Sequence, residues 1–248
     1  MNLILLRPEE INNKRVTLTD HRAEHILSVL KSSPGDSLKT GIVNGPVGRS
    51  RVVDVSANSV VLEITVEGDT PPRPQTDLIL ALPRPIMLKR ILSQAAALGV
   101  ARIFLIKANR VEKSFFNASL LKNNAWNAHL ELGLEQSVDT LLPKISVHNR
   151  FRPFVEDFLP EITKDYPHQL VAHPEAPKKL ADIVTLPLTD RVLLAIGPEG
   201  GWVDFEINTF EKQGFQTFAM GPRILKVDTA VSALLAQIDL LRQIYPIG

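Results

Sequence analysis

The chain of 248 residues contains no cysteine, which excludes disulfides and thiolate metal sites and fits a reducing compartment. No apolar stretch approaches the ~18 residues of a helical membrane span. The opening Met1-Asn2-Leu3-Ile4-Leu5-Leu6-Arg7-Pro8 has no basic lead, and its apolar run is too short for a signal peptide. The expectation is a soluble, cytoplasmic protein without a membrane partner. Three catalytic signatures are also missing: the Gly-x-x-x-x-Gly-Lys-Ser/Thr phosphate loop, the Gly-x-Gly-x-x-Gly dinucleotide fingerprint and the Gly-x-Ser-x-Gly nucleophile elbow. Of six histidines, only His21 and His25 stand one helical turn apart, and no third ligand accompanies them, so no metal is expected. Nor is there much excess of charge, the formal net value being +1. Its distribution says more. Between Arg73 and Lys113 stand Arg73, Arg84, Lys89, Arg90, Arg102, Lys107, Arg110 and Lys113, opposed only by Asp77 and Glu112. Clustered, these would make one face positive enough for nucleic acid; scattered, they are ordinary solvated charges.

What is present is a globular composition, 44% hydrophobic and 22% charged. The first seventy residues carry short β-branched runs at 15–18, 51–55 and 60–66, separated by turns such as Asn44-Gly45-Pro46. One helix interrupts them, capped by Thr19 or Asp20, with Ala23, Ile26, Leu27 and Leu30 on one face. A small β-barrel-like domain is expected over residues 1–70. Thr70-Pro71-Pro72-Arg73-Pro74 resists both helix and sheet and reads as a linker.

Over residues 71–248 the rhythm changes. Strand runs at 78–82, 103–106, 169–172, 192–196 and 216–219 alternate with helical stripes, the last over 228–244. That alternation predicts an α/β domain whose parallel sheet is covered on both faces, with ligands outside the C-terminal strand ends. Both glycine loops fall there. Ile196-Gly197-Pro198-Glu199-Gly200-Gly201 follows one strand. Met220-Gly221-Pro222-Arg223-Ile224-Leu225-Lys226-Val227-Asp228-Thr229-Ala230 follows another and opens the final helix. Ile196, Met220, Ile224 and Leu225 can supply apolar faces for a flat ligand. Gly197, Gly200, Gly201 and Gly221 can let bare backbone approach it, although tight turns between buried elements would need the same glycines.

These loops resemble those of the SPOUT superfamily of S-adenosylmethionine-dependent RNA methyltransferases. More narrowly, the chain resembles the ribosomal RNA small-subunit methyltransferase E family, the 16S rRNA (uracil(1498)-N(3))-methyltransferases. Five stretches carry the likeness in the family's order across nearly the whole chain. They are His25-Ile26-Leu27-Ser28-Val29-Leu30-Lys31 with Gly35-Asp36; residues 90–99 with Gln94, Ala95 and Leu98-Gly99-Val100; Glu135-Gln136-Ser137 with Pro143; residues 196–201; and residues 221–230. The resemblance implies a PUA-like RNA-binding barrel over 1–70 and a SPOUT methyltransferase domain with a deep trefoil knot over 71–248. It also implies a homodimer, a 16S rRNA substrate in the assembled small subunit, and S-adenosylmethionine as methyl donor without a metal. Carried over, the donor site comprises His173, Ile196, Gly197, Pro198, Gly200, Gly201, Met220, Gly221, Ile224 and Leu225. RNA contacts are expected at Arg22, Lys31, Arg84, Lys89, Arg90 and Arg110.

Uracil N3 is a weak imide acid, so methylation needs a proton acceptor or a cation beside the developing anion. Glu199 and Asp228 are the candidate acids, Lys226 and Arg223 the candidate cations; Asp228 serves equally as N-cap of the final helix. Family members show Arg-Thr-Glu-Thr-Ala where this chain has Lys226-Val227-Asp228-Thr229-Ala230, and Glu-Gln-Ser-Gly-Arg where it has Glu135-Gln136-Ser137-Val138-Asp139. Lys31 stands where arginine is usual. Lysine loses the planar fork of arginine, and aspartate shortens the reach of glutamate. These departures leave two alternatives: a SPOUT methyltransferase for another rRNA or tRNA nucleotide, and a non-catalytic RNA-binding assembly factor.

Overall fold

The computed structural model describes residues 1–65, 68–184, 186 and 188–244. The chain forms two compact units, one of Met1–Arg73 with Leu130–Leu142, the other of Pro74–His129 with Pro143–Gly248. It therefore does not divide at a single point near residue 70, because a later segment returns to the first unit.

In the first unit, β1 (Ile4–Leu6), β2 (Arg15–Leu18), β3 (Ser37–Ile42), β4 (Val47–Val55) and β5 (Val60–Thr65) form one sheet of order β1-β3-β4-β5-β2. Only the β1–β3 pair is parallel. Val66, in the expected third strand run, lies outside the described residues. Helix α1 (His21–Glu24) continues as a wider turn through Leu30. Asp20 caps it by accepting from the Arg22 backbone N–H at 3.0 Å, and Lys31, left-handed at φ 53°, ends it. Alternation along the strands sends Val16, Leu18, Val52, Val60 and Leu62 inward against Ile4, Leu6 and Ile26. The expectation that Arg22 meets RNA is corrected here. Arg22 is only 6% exposed, and its guanidinium is held by Asp20 at 2.7 Å, Glu10 at 2.8 Å and the Leu5 carbonyl at 2.7 Å.

The second unit is a sheet of six parallel strands, β6 (Thr76–Ala81), β7 (Val100–Ile106), β8 (Lys144–His148), β9 (His168–Ala172), β10 (Val192–Ile196) and β11 (Gln216–Phe218), in the order β11-β9-β10-β6-β7-β8. Every residue of β6 and β10 is buried. Since successive side chains point to opposite faces, both faces of the sheet centre are covered. Helices α2 (Pro85–Ala97), α4 (Leu159–Ile162), α5 (Leu180–Ile183), α6 (Asp204–Lys212) and α7 (Val227–Gln243) belong to this unit, whereas α3 (Asn127–Ser137) runs across the boundary between the two sets of residues. On α7, Val231, Leu234, Leu235 and Ile238 are buried, and α2 packs against it. Where the strands begin, Asp77 is fully buried and accepts from Arg102 at 3.0 Å, Arg191 at 2.6 Å and the Tyr166 hydroxyl. Among the described residues no helix is long and apolar enough to cross a membrane.

Candidate functional site

Register sets the geometry of the site. Ala172 of β9 pairs with Ile196 of β10 on one side and with Phe218 of β11 on the other. Three adjacent parallel strands therefore end level, and the chain leaves them side by side at His173, Gly197 and Ala219. The loops that follow converge on the start of α7. Between them lies a cavity of about 110 Å³ that opens to solvent.

His173, Ile196, Gly197, Pro198, Gly201, Met220, Gly221, Ile224 and Leu225 all line this cavity. Gly200 does not: a Cβ there would meet the Arg110 side chain at 2.9 Å. Its bareness makes room for Arg110, which donates to the Gly200 carbonyl. Gly197 has a similar reason, since a Cβ would sit 3.1 Å from Nε1 of Trp202. Gly201 adopts φ +74°, in the left-handed region that favours glycine. Only Gly221, with nothing within 4 Å of its Cβ position, leaves open space in the way expected of all four. Ile224 is 85% exposed and stands at the rim.

Sequence reasoning missed several wall residues. Val227, Ala230 and Leu234 present one face of α7 to the cavity, Ala172 and Pro174 flank His173, and Trp202 forms a rigid side. The helical spacing of the first three was a usable signal. Trp202 is buried, with its ring edge-on to Phe210 at 5.3 Å and tilted to Phe151 at 6.4 Å. Glu206 was missed too. Fully buried, it accepts from the backbone of Asn109 at 2.7 Å and of Val203 at 3.0 Å, so it pins the start of α6 below the first glycine loop.

Of the candidate catalytic residues, Glu199 and Arg223 line the cavity and are exposed, whereas Lys226 and Asp228 are not part of its lining. Glu199 Oε1 accepts from the Arg84 backbone N–H at 3.2 Å, at the N-terminus of α2, where the helix dipole favours an anion. Asp228 is not the N-cap of α7, a position that Lys226 occupies. Asp228 lies in the first helical turn, 6% exposed, and its carboxylate accepts from Arg90 at 3.0 Å and from the Thr229 backbone at 2.9 Å. Arg90 is thus tied to α7, and Arg110 to the first glycine loop. Arg84, Lys89 and, in the first unit, Lys31 are exposed. Among the described residues no cluster of three or more His, Asp or Glu side chains suits a metal; His21 instead pairs with buried Glu135 at 3.2 Å.

Comparison with known proteins places this site in a class. The family model described as "RNA methyltransferase domain" matches residues 70–239, the span that holds the whole cavity, so the class is that of RNA methyltransferases. The chain is 33% identical over 240 residues to the ribosomal RNA small subunit methyltransferase E of Treponema pallidum, covering 95% of this chain and 90% of the relative. With the Synechocystis protein of the same name it shares 30% identity over 96% of this chain and 77% of the relative. The chain belongs to the ribosomal RNA small subunit methyltransferase E family. Its fold matches the Neisseria gonorrhoeae member, solved bound to S-adenosyl methionine, with a TM-score of 0.77 at 22% identity over 97% of this chain and 98% of that one.

Proposed function

We propose that the protein transfers the methyl group of S-adenosylmethionine to N3 of one uridine, uracil(1498), in 16S rRNA. It does so in the cytoplasm, as a homodimer acting on the assembled small subunit. The first unit is read as a PUA-like barrel that holds RNA, the second as a SPOUT domain with a trefoil knot around the donor site. The observation that carries the reading is the meeting of both glycine loops and the end of β9 in one cavity at the C-terminal edge of a parallel sheet. Membership of a family whose relatives carry the rRNA methyltransferase name supports it, as does the donor bound to the Neisseria member. Exposed Leu240 and Ile244 at the end of α7 support a second copy as partner.

The residues fit the donor. Ile196, Met220, Leu225 and Leu234 give apolar walls, the loop backbone offers N–H and C=O groups, and two buried ring nitrogens, Trp202 Nε1 and His173 Nδ1, lack partners. When bound, S-adenosylmethionine supplies an electrophilic methyl on a sulfonium. The protein's part is to hold it, exclude water and manage one proton and one developing charge. Glu199 at the cavity wall is the group we favour for accepting the N3 proton. Asp228 is a poor acceptor, because a guanidinium and a backbone N–H already occupy its oxygens. Arg223, exposed on the lining, is placed to steady the uracil anion or a flanking phosphate. Lys226, exposed at the start of α7 and outside the lining, suits the phosphate better.

Calorimetry with S-adenosylmethionine tests the donor, and absence of binding would end the proposal. Mass mapping of 16S rRNA from a deletion strain tests the target. The expected result is loss of one methyl from one uridine; an unchanged methylation map would overturn the choice of substrate.

A further inference from the structure

The cavity holds an unmet demand for hydrogen bonds. Among the described residues that line it, Nε1 of Trp202 and Nδ1 of His173 are buried and have no partner in the protein. Buried polar groups are nearly always paired, and an orphan carries the cost of lost hydration without return. An indole N–H is a donor only, so whatever satisfies Trp202 brings an acceptor. The ring has little freedom to turn elsewhere: it is 3% exposed, clamped between Phe210 and Phe151. Beside it, Gly197 lets the loop backbone lie close to the indole, since a Cβ there would sit 3.1 Å from Nε1 and 3.2 Å from Cδ1 and Cε2. His173 leaves β9 beside Gly197, so both orphans lie where the same strands end.

We infer that Trp202 is a donor-binding residue: its indole N–H gives a hydrogen bond to an acceptor atom of bound S-adenosylmethionine. This rests on the donor reading above and adds to it a polar side-chain contact with the donor. An aromatic ring suffices to pack against Phe210 and Phe151; the nitrogen is the part that packing does not explain.

The test reads the nitrogen directly. The chain has two tryptophans, Trp126 and Trp202, so a spectrum of the ¹⁵N-labelled full-length protein shows two indole N–H signals, and Trp202→Phe assigns them. Titration with S-adenosylmethionine should move the Trp202 signal downfield and slow its exchange with water, leaving Trp126 in place. By calorimetry, Trp202→Phe should weaken donor binding about tenfold, the worth of one well-placed hydrogen bond. Gly197→Ala, whose Cβ would crowd the indole at 3.1 Å from Nε1, should act in the same direction. A wild-type protein that binds the donor while the Trp202 signal stays put overturns the inference and leaves the donor reading intact. A wild-type protein that binds no donor removes both. Should Trp202→Phe fold poorly, labelling the wild type with ¹⁵N-indole and assigning through Trp126→Phe gives the same reading.

Discussion

At the residue scale, the glycines of the first loop show how one residue type answers different local demands. Gly201 is required by its own backbone, since φ +74° strains any residue with a Cβ by roughly 1 kcal/mol or more. Gly201→Ala should lower stability by about that amount and weaken donor affinity through a reshaped turn, measured by denaturant titration and calorimetry. Gly200 is set by its neighbour Arg110, and Gly197 by Trp202. A glycine-rich loop announces itself in sequence; the reason for each glycine does not, because it depends on side chains far along the chain. Asp77 makes the opposite case. Nothing in its local sequence marks it, yet it is the buried anion on which Arg102, Arg191 and Tyr166 converge. Asp77→Ala strands two cations and should cost about 3 kcal/mol, while donor affinity stays unchanged, since Asp77 lies at the start of its strand and the cavity at the strand ends.

At the scale of elements, the alternation of strand and helix after residue 74 was legible because buried parallel strands read as short apolar runs, and Val192–Ile196 was found to the residue. Other strands hid for physical reasons. β1 is three residues long, too short for any period to show. In β3 the inward positions include Thr40, whose hydroxyl pairs with Ser50 at 2.8 Å in the interior, so polarity and direction disagree. β8 alternates cleanly in Ile145 and Val147, and that signal was available. The start of α7 shows the limit of capping rules: Asp228 is a good N-cap residue by type, but the helix begins one residue earlier and its carboxylate faces α2. Arg90→Ala should leave that buried carboxylate without its cation and destabilise the protein by about 1–3 kcal/mol, lowering the thermal midpoint by several degrees.

At the scale of the whole molecule, pH dependence follows from its imidazoles. Burial holds His25, His129, His148 and His168 below the usual histidine value. A histidine with a depressed pKa in the fold binds protons more readily when unfolded. Its contribution to stability is therefore present above the unfolded value and lost as pH falls, here from about pH 6.5 downward. The thermal midpoint should decline between about pH 6.5 and 5. His148, set among Phe104, Phe154 and Phe158 with centroids 6.3, 4.6 and 4.8 Å away, should account for part of the slope. His148→Phe should flatten it; an unchanged slope would assign the effect to the other three.

The return of Leu130–Leu142 to the first unit was the feature least legible in sequence, since no local pattern tells a helix which sheet it will join. Its backbone and side chains complete that unit: Asn2 and Leu3 donate to the Glu135 carbonyl at 3.0 Å, and Arg7 holds Glu131 at 2.6 Å. Synthesis on the ribosome then has a built-in delay. The amino-terminal strands emerge from the exit tunnel well before the piece that finishes them, and nearly sixty residues of the other unit intervene. The contacts of Asn2, Leu3 and Arg7 with this segment can form only once residue 142 has cleared the tunnel, so they are timed by translation through sequence that belongs elsewhere.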